Sequence, residues 1–366
     1  MSQENPMIEQ ERLIETLQKT FKTPITSLQL KTLTGDASDR VYYRVSWKKD
    51  TEAHSHILME MGNTKNAVTS EEITGRTTST HFGLPFINIQ KYLSACKIPV
   101  PEVFFYDKDQ AWILLEDLGD LSFADEINRV IQNPEKVCEY YKNAIDLLIS
   151  LQLQATPILA RQCVAHTRHY DQCLFEWEFD HFIEYGIEKR NKTPLPPEIK
   201  SSIRSHFSQL SAHFSAQPSY FTHRDYHSRN LMMQDSPEGL YLRLIDFQDA
   251  LMGPAEYDLA SLLRDSYIDL SHDMIETLLD YYIQEWKKRA ALPIDSALFK
   301  ESFDLISIQR NLKAAGRFIY IDQVKGKDYL LPFVTPTLLK VKNTLQKYER
   351  LKPLYDLLAE AVPELR

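Results

Sequence analysis

Four polar residues stand at the spacing that phosphoryl transfer requires. His223 and Asp225 are followed by Asn230 in the pattern H-x-D-x-x-x-x-N, and a later apolar run ends in Asp246. In such a pattern one carboxylate orients the attacking hydroxyl and accepts its proton, while an amide oxygen and a second carboxylate hold Mg²⁺ against nucleotide phosphates. We therefore predict Asp225 as the base and Asn230 and Asp246 as the metal ligands.

Two other interpretations of this segment exist. A polar turn between two short strands would also contain Asn and Asp, which favour turns. A zinc site would use His223 and His227, but no third ligand is suggested, and oxygen ligands suit Mg²⁺ better. The catalytic interpretation is favoured, because composition alone seldom produces this spacing followed by Ile-Asp-Phe.

Composition sets the size and class of the protein. A chain of 366 residues exceeds the usual limit of one hydrophobic core, so we expect two lobes that share a cleft. Hydrophobic residues make up 43% and charged residues 25%, as in folded soluble proteins. There are only 10 glycines and no G-x-G, which argues against a dinucleotide fingerprint and a Walker A loop.

The charge balance predicts which partners the chain avoids. The net charge is −9 and the isoelectric point about 5.7, so binding to nucleic acid or anionic lipid would need a local basic patch. No apolar run reaches 18 residues, the first residues are polar, and the four cysteines form no C-x-x-C. We expect a cytoplasmic protein with reduced thiols and without nucleic-acid or membrane partners, and a monomer is favoured.

Hydrophobic periodicity predicts a small β-rich part followed by a helical part. The first part has predicted helices at 8–21 and 84–96 and predicted strands at 27–33, 41–47, 54–61, 103–107 and 111–117. The second has predicted helices at 134–154, 168–190, 196–215, 258–270, 273–291, 298–320 and 335–361, interrupted by β-type segments at 221–234 and 240–250. This order indicates an α+β, bilobal, protein-kinase-like fold, with a small antiparallel β N-lobe (1–118) and a large helical C-lobe (119–366).

The motifs resemble those of the aminoglycoside-phosphotransferase and choline-kinase-like superfamily. The similarity lies in HRDYHSRNLM (223–232) and LIDFQDALMGPAEYDLASLLRD (244–265). Within that superfamily the chain is most similar to the anomeric N-acetylmuramate/N-acetylglucosamine kinases of cell-wall recycling. Three shorter segments carry that resemblance: GDASDRVYYRV (35–45), ILLEDLGD (113–120) and QRNLKAAGRF (309–318).

The resemblance implies ATP and Mg²⁺ as cofactors and gives roles to further residues. His227 and Arg229 would act beside Asp225 near the phosphates. A phosphate loop would use Gly35, Ala37 and Ser38, and adenine would contact the backbone at Glu116, Asp117 and Leu118. No lysine stands where a kinase binds ATP phosphates. Arg40 and Arg44 would supply that charge, or they are two solvated strand arginines.

Candidate acceptor residues lie in the predicted helices. Arg310 and Lys313 fall with Arg317 on one side of the segment 303–319, where they either attract an anionic acceptor or form a solvated face. The remaining candidates, which either bind sugar hydroxyls or serve the structure alone, are Glu178, Asp249, Arg264 and Asp265.

The expected activity is ATP-dependent phosphorylation of the anomeric hydroxyl of an N-acetylated amino sugar, giving the sugar 1-phosphate. One alternative is an O-phosphotransferase acting on an aminoglycoside or another small alcohol. The other is an inactive, nucleotide-binding pseudokinase, which the missing lysine suggests and the intact Asp225, Asn230 and Asp246 oppose.

Overall fold

The computed structural model describes residues 10–33, 40–61, 82–158, 162–236, 239–290 and 293–366. The chain forms two compact units: unit 1, from Met1–Ala67 and Pro101–Gly119, and unit 2, from Val68–Val100 and Asp120–Arg366. Unit 1 differs from the predicted N-lobe, 1–118, because the described residues 82–100 belong to unit 2. In the part of the chain that is described, no helix is both long enough and apolar enough to cross a membrane.

Unit 1 is built on a five-stranded antiparallel sheet, as the alternation of residues predicts. Its strands are β1 (Ser27–Leu33), β2 (Val41–Lys49), β3 (Glu52–Glu60), β4 (Val103–Asp107) and β5 (Trp112–Glu116), in the order β1-β2-β3-β5-β4. Helix α1 (Gln10–Phe21) precedes them and buries Leu13 and Leu17. The loop that contains Gly35, Ala37 and Ser38 lies outside the described residues.

The core of unit 1 follows the two-residue period of β2. Tyr43, Val45 and Trp47 are buried on one face, and they form one apolar cluster with the two α1 leucines. Each such side chain contributes about 1.5–3 kcal/mol when it leaves water. The sheet therefore needs α1 as its cover.

Unit 2 is mostly helical, as predicted. Its helices are α2 (Pro85–Ala95), α3 (Phe123–Val130), α4 (Pro134–Ala155), α5 (Gln172–His181), α6 (Pro197–Ser215), α7 (Ala255–Leu263), α8 (His272–Ala290), α9 (Ser296–Lys325), α10 (Val334–Gln346) and α11 (Lys352–Ala361). The prediction of one helix over 335–361 is wrong. The chain breaks between α10 and α11, and Pro353, which cannot donate a backbone hydrogen bond, lies in the first turn of α11.

Helix α5 does not end as a regular helix. Asp171 caps its start by accepting from the Leu174 N–H at 2.8 Å, and α5 continues directly into a π-helix over Phe182–Lys189. The prediction of an uninterrupted helix over 168–190 missed this change. Gly316 of α9 approaches it so closely that a Cβ at that position would lie 2.9 Å from Phe182 Cα.

Two short ladders hold the segment that carries the catalytic pattern. Strand β6 (Ser219–Thr222) pairs with β9 (Leu251–Pro254), and β7 (Leu231–Ser236) pairs with β8 (Gly239–Leu244). Residues 245–250, predicted as part of a strand, form a loop. Since Thr222 pairs with Leu251 and Leu231 pairs with Leu244, the loops 223–230 and 245–250 are joined at both ends.

Candidate active site

The start of the catalytic loop, residues 223–230, is fixed by a buried carboxylate from α7. Asp258 accepts the backbone N–H of His223 at 2.6 Å and that of Arg224 at 3.0 Å. Burial raises the pKa of Asp258 to about 7, and the two backbone hydrogen bonds oppose that rise. Asp258 therefore supports the loop from α7.

His223 is a structural residue of the loop. Its Nε2 lies 2.9 Å from the Ile245 carbonyl oxygen, and its Nδ1 faces the Asp225 N–H at 3.3 Å. Burial lowers the pKa of His223 to about 4, so the ring is neutral near pH 7. The zinc interpretation finds no support, because both ring nitrogens are engaged. The described residues also contain no group of three or more His, Cys, Asp or Glu suited to a metal ion.

Asp225 is a partly exposed carboxylate in a cationic environment. Burial by itself raises its pKa, but the charge of Lys313, followed by those of His227 and Arg224, holds the pKa below the usual carboxyl range. The group is therefore ionised near pH 7 and accepts hydrogen bonds. The preceding residue, Arg224, has a φ of 77°, a left-handed conformation that strains a residue with a Cβ and is often found at functional sites.

Asn230 and Asp246 are brought together by a backbone hydrogen bond. The Ile245 N–H donates to the Asn230 carbonyl at 3.1 Å, which places Asp246 next in the chain. The Asn230 Nδ2 donates to the Asp225 carbonyl at 2.9 Å, so the amide orientation is set and its oxygen points the other way. Gln248 Nε2 donates to Asp246 Oδ1 at 2.9 Å. One amide oxygen and one carboxylate form a donor set that fits Mg²⁺.

The two basic residues of the loop contact aromatic rings. The Arg229 guanidinium lies 3.8 Å from the ring centre of Tyr267 and 4.9 Å from that of Phe333. The His227 ring lies 5.3 Å from the Tyr267 ring, centre to centre. Their predicted catalytic roles stay predictions, and the contacts show that Tyr267 positions both.

A buried network joins the loop to α5 and α9, and its centre is Glu178. Glu178 Oε1 accepts from Arg224 Nη2 at 2.9 Å and lies 3.3 Å from Lys313 Nζ. Its Oε2 accepts from the Tyr170 hydroxyl at 2.5 Å and from Gln309 Nε2 at 2.8 Å. Despite burial, these partners lower the pKa of Glu178. Glu178 is only 1% exposed and holds Arg224, which favours the structural alternative for this residue.

Three other predicted acceptor residues also form hydrogen bonds or ion pairs with other residues of the protein. Asp265, 1% exposed, accepts the Ser228 N–H at 2.9 Å and so supports the loop from behind. Arg310, 5% exposed, donates to Ser261 and Ser266, which also contradicts a solvated face at that position. Arg264 binds Asp304 at 2.6 Å. Asp265 and Arg310 are buried, and the partly exposed Arg264 is bound to Asp304, which favours the structural alternative for all three. The partly exposed Asp249 and Lys313 remain candidates for contact with an acceptor.

Unit 1 holds the predicted nucleotide residues. The Arg44 guanidinium binds Asp117 through two hydrogen bonds, at 2.7 and 3.0 Å, so it is not a solvated strand arginine, and its contact with a phosphate stays a prediction. Ser55 and the Gly119 N–H also donate to Asp117. Arg40 and Glu116 are partly exposed, and Leu118 is buried. The side chain of Asp117 therefore orders the end of β5 through Arg44.

Sequence reasoning missed several residues that position this site. Gln309 completes the Glu178 network, and Gln248 orients Asp246. The arginine in His-Arg-Asp could have indicated this network, since a buried arginine next to the predicted catalytic carboxylate requires an acidic partner.

Comparison with known proteins supports the same chemistry. Residues 29–292 match the model of the phosphotransferase enzyme family. The N-acetylmuramate/N-acetylglucosamine kinase of Neisseria meningitidis serogroup B is 31% identical over 284 residues, 76% of this chain and 79% of that protein. Its counterpart of the same name in Pseudomonas aeruginosa is 28% identical, covering 75% and 77%.

A solved structure shows the same fold. The choline kinase of Streptococcus pneumoniae superposes with a TM-score of 0.57 at 14% identity, covering 92% of this chain and 100% of that one. This confirms the predicted kinase-like fold class.

Proposed function

Because this chain belongs to the phosphotransferase enzyme family, we propose that it is an ATP-dependent kinase for the anomeric hydroxyl of an N-acetylated amino sugar. The names of the Neisseria and Pseudomonas proteins support N-acetylmuramate or N-acetylglucosamine as the acceptor. The observation that carries the proposal is an ionised Asp225 on a loop whose Asn230 is hydrogen-bonded to the segment that bears Asp246. ATP as the donor, together with free cysteines, also supports a cytoplasmic location.

Asn230 and Asp246 would hold Mg²⁺ in this enzyme. When bound, the ion neutralises negative charge on the phosphates of ATP. The protein fixes the orientation of both ligand side chains. Asn230 is oriented by its hydrogen bond to the Asp225 carbonyl, and Asp246 by its hydrogen bond from Gln248. The left-handed φ of Asp246, 63°, is a second strained position in the site.

Asp225 orients the acceptor hydroxyl for attack on the γ-phosphorus. The sugar oxygen forms a bond to phosphorus as the bond from phosphorus to the ADP oxygen breaks, and the hydroxyl proton passes to Asp225. A low carboxyl pKa suits this role, because the transition state is largely dissociative and the proton moves late. Positioning therefore supplies most of the rate enhancement.

Unit 1 would bind the nucleotide. Arg40 remains the candidate for a phosphate contact, the backbone of Glu116 and Leu118 would contact adenine, and Gly35, Ala37 and Ser38 complete the proposed loop. Arg44 acts on this segment through Asp117. His227 and Arg229 are proposed to lie near the phosphates, and Asp249 near the acceptor.

The experiment is an acceptor screen with purified protein and Mg-ATP. ADP release is measured with N-acetylmuramate, N-acetylglucosamine, kanamycin and choline, and ³¹P NMR locates the new phosphate. We expect turnover on the amino sugars with phosphate on the anomeric oxygen. Turnover confined to kanamycin or choline would establish the alternative acceptor class, and ATP binding without any turnover would establish a pseudokinase.

The Asp225→Asn variant tests the assigned base. We expect kcat to fall about 10²- to 10⁴-fold while ATP still binds, because the hydroxyl loses its acceptor. Asp180→Asn is the matched control, since Asp180 is an exposed carboxylate paired with Arg204. Near-normal turnover of Asp225→Asn would refute the assignment.

A further inference from the structure

The π-helix that follows α5 adjoins a group of aromatic side chains that the mechanism does not use. The aromatic patch consists of Trp177, His181, Tyr185 and Tyr320. Successive ring centres along it are 5.5, 4.7 and 5.0 Å apart, and all four side chains are partly exposed. A π-helical turn is rare and often marks a functional site. The patch thus lies at a π-helix, which carries one of its rings, Tyr185.

The patch is connected to the catalytic residues through α9. Lys313 lies 3.3 Å from Glu178 and is the cation with the largest influence on Asp225. Arg317 is one helical turn further along, about 6 Å by helix geometry, and Tyr320 is next on that side. The patch therefore begins about one helical turn along α9 from the cation that acts most strongly on Asp225.

Arg317 is the cation of this surface. Its guanidinium lies 4.7 Å from the centre of the Tyr320 ring. Within the described ranges no carboxylate forms an ion pair with Arg317, in contrast to Arg224, which is paired with Glu178. An arginine stacked on a ring keeps its planar edge available for a carboxylate.

The remaining rings of the patch carry no charge. Burial, followed by the charge of Arg317, lowers the pKa of His181 to about 4, so its ring is neutral near pH 7. The patch therefore presents neutral aromatic rings beside one guanidinium. The C–H faces of a pyranose ring pack against the negative faces of such rings.

We propose that the aromatic patch and Arg317 form the acceptor subsite, in which the rings hold the sugar and Arg317 binds the carboxylate of N-acetylmuramate. The inference rests on the proposed function and extends it. It makes Arg317 a specificity-determining residue that favours the anionic sugar over N-acetylglucosamine, which has no carboxylate.

The test compares two acceptors in the wild type and three variants. In Arg317→Gln, kcat/KM for N-acetylmuramate should fall about 10- to 100-fold through KM, since a hydrogen-bonded charge is lost. For N-acetylglucosamine it should stay within about twofold, because no carboxylate is present. Arg317→Lys should restore part of the loss. Arg204→Gln, which removes an exposed arginine, should change neither acceptor.

A binding measurement gives a second result that does not depend on turnover. Trp177 is partly exposed, whereas the other three tryptophans, Trp47, Trp112 and Trp286, are at most 3% exposed. N-acetylmuramate should quench the intrinsic fluorescence of the wild type, and Trp177→Phe should remove that quenching.

The outcomes separate this inference from the proposed function. If wild type phosphorylates both sugars but Arg317→Gln affects them equally, or neither, the subsite is overturned and the kinase assignment stands. Quenching that persists in Trp177→Phe also overturns the subsite. If wild type acts on neither sugar, both the proposed acceptor and the subsite are overturned.

Discussion

The carboxylate of Glu178 offers a stringent test of how the catalytic loop is held. Glu178→Gln keeps the side-chain volume, so no cavity forms, but it removes the charge that faces Arg224 and Lys313. It also replaces one acceptor oxygen by an NH₂ group, which would face donors from Arg224 or from Tyr170 and Gln309. The change is thus confined to charge and hydrogen bonding.

The expected magnitude follows from the burial of the pair. Arg224 and Glu178 are 3% and 1% exposed at their side chains, and removing one partner of a buried pair costs about 3–5 kcal/mol. For a folding unit of this size each kcal/mol lowers Tm by about 2–4 °C, so Tm should fall by about 6–20 °C. Because Arg224 has a strained φ that the pair helps to maintain, kcat should also fall, by about tenfold or more.

The assay is thermal unfolding followed by steady-state kinetics well below the lowered Tm. Asp180→Asn is the matched control on the same helix, because the Asp180–Arg204 pair is about half exposed and contributes at most about 1 kcal/mol. A Glu178→Gln variant as stable as this control, with unchanged kcat, would refute the positioning role. A fall in Tm with unchanged kcat would leave Glu178 a purely structural residue.

Three further outcomes follow from the site. Asp246→Ala should lower kcat at least about 100-fold and remove the response of the rate to Mg²⁺ concentration, and an unchanged response would contradict its role as a ligand. The Asp258 pKa of about 7 in the folded chain exceeds the usual value of about 3.9, so the folded chain binds more protons between these values. The free energy of unfolding therefore loses about 1.4 kcal/mol per pH unit as pH rises from about 4 to about 7, and Asp258→Asn should remove this slope in denaturant titrations. Arg40→Gln should raise the KM for ATP, whereas Arg44→Gln should mainly destabilise unit 1, by about 1–3 kcal/mol, because it leaves Asp117 without its bidentate partner. The reverse result would make Arg44 the phosphate contact.

The sequence predicted those features that depend on local spacing. The strands of unit 1 were predictable because side chains alternate between buried and exposed along β2. Asp225, Asn230 and Asp246 were predictable because they lie in short loops between paired strands, and one sequence motif spans these loops.

The features that escaped prediction depend on contacts distant in the chain. Glu178 looks like an ordinary acidic residue of a helix, and only the fold brings Arg224, Gln309 and Lys313 to it. Arg310 has the spacing of a solvated face, but the serines of a neighbouring helix and loop enclose it. The π-helix has no periodic signal of its own, and the close approach of Gly316 to Phe182 joins residues far apart in the chain.

The Glu178 network also sets the order in which the site is completed during synthesis. Glu178 and Arg224 leave the ribosome first, whereas Gln309 and Lys313 follow roughly 90 residues after Arg224. At about 5–20 residues per second this gap lasts about 5–18 s. During that interval the nascent chain already holds the proposed base, Asp225, but lacks the cation that most strongly keeps it ionised. The site is therefore completed late in synthesis. A chain that stops before α9 contains the whole catalytic motif but lacks the charge of Lys313.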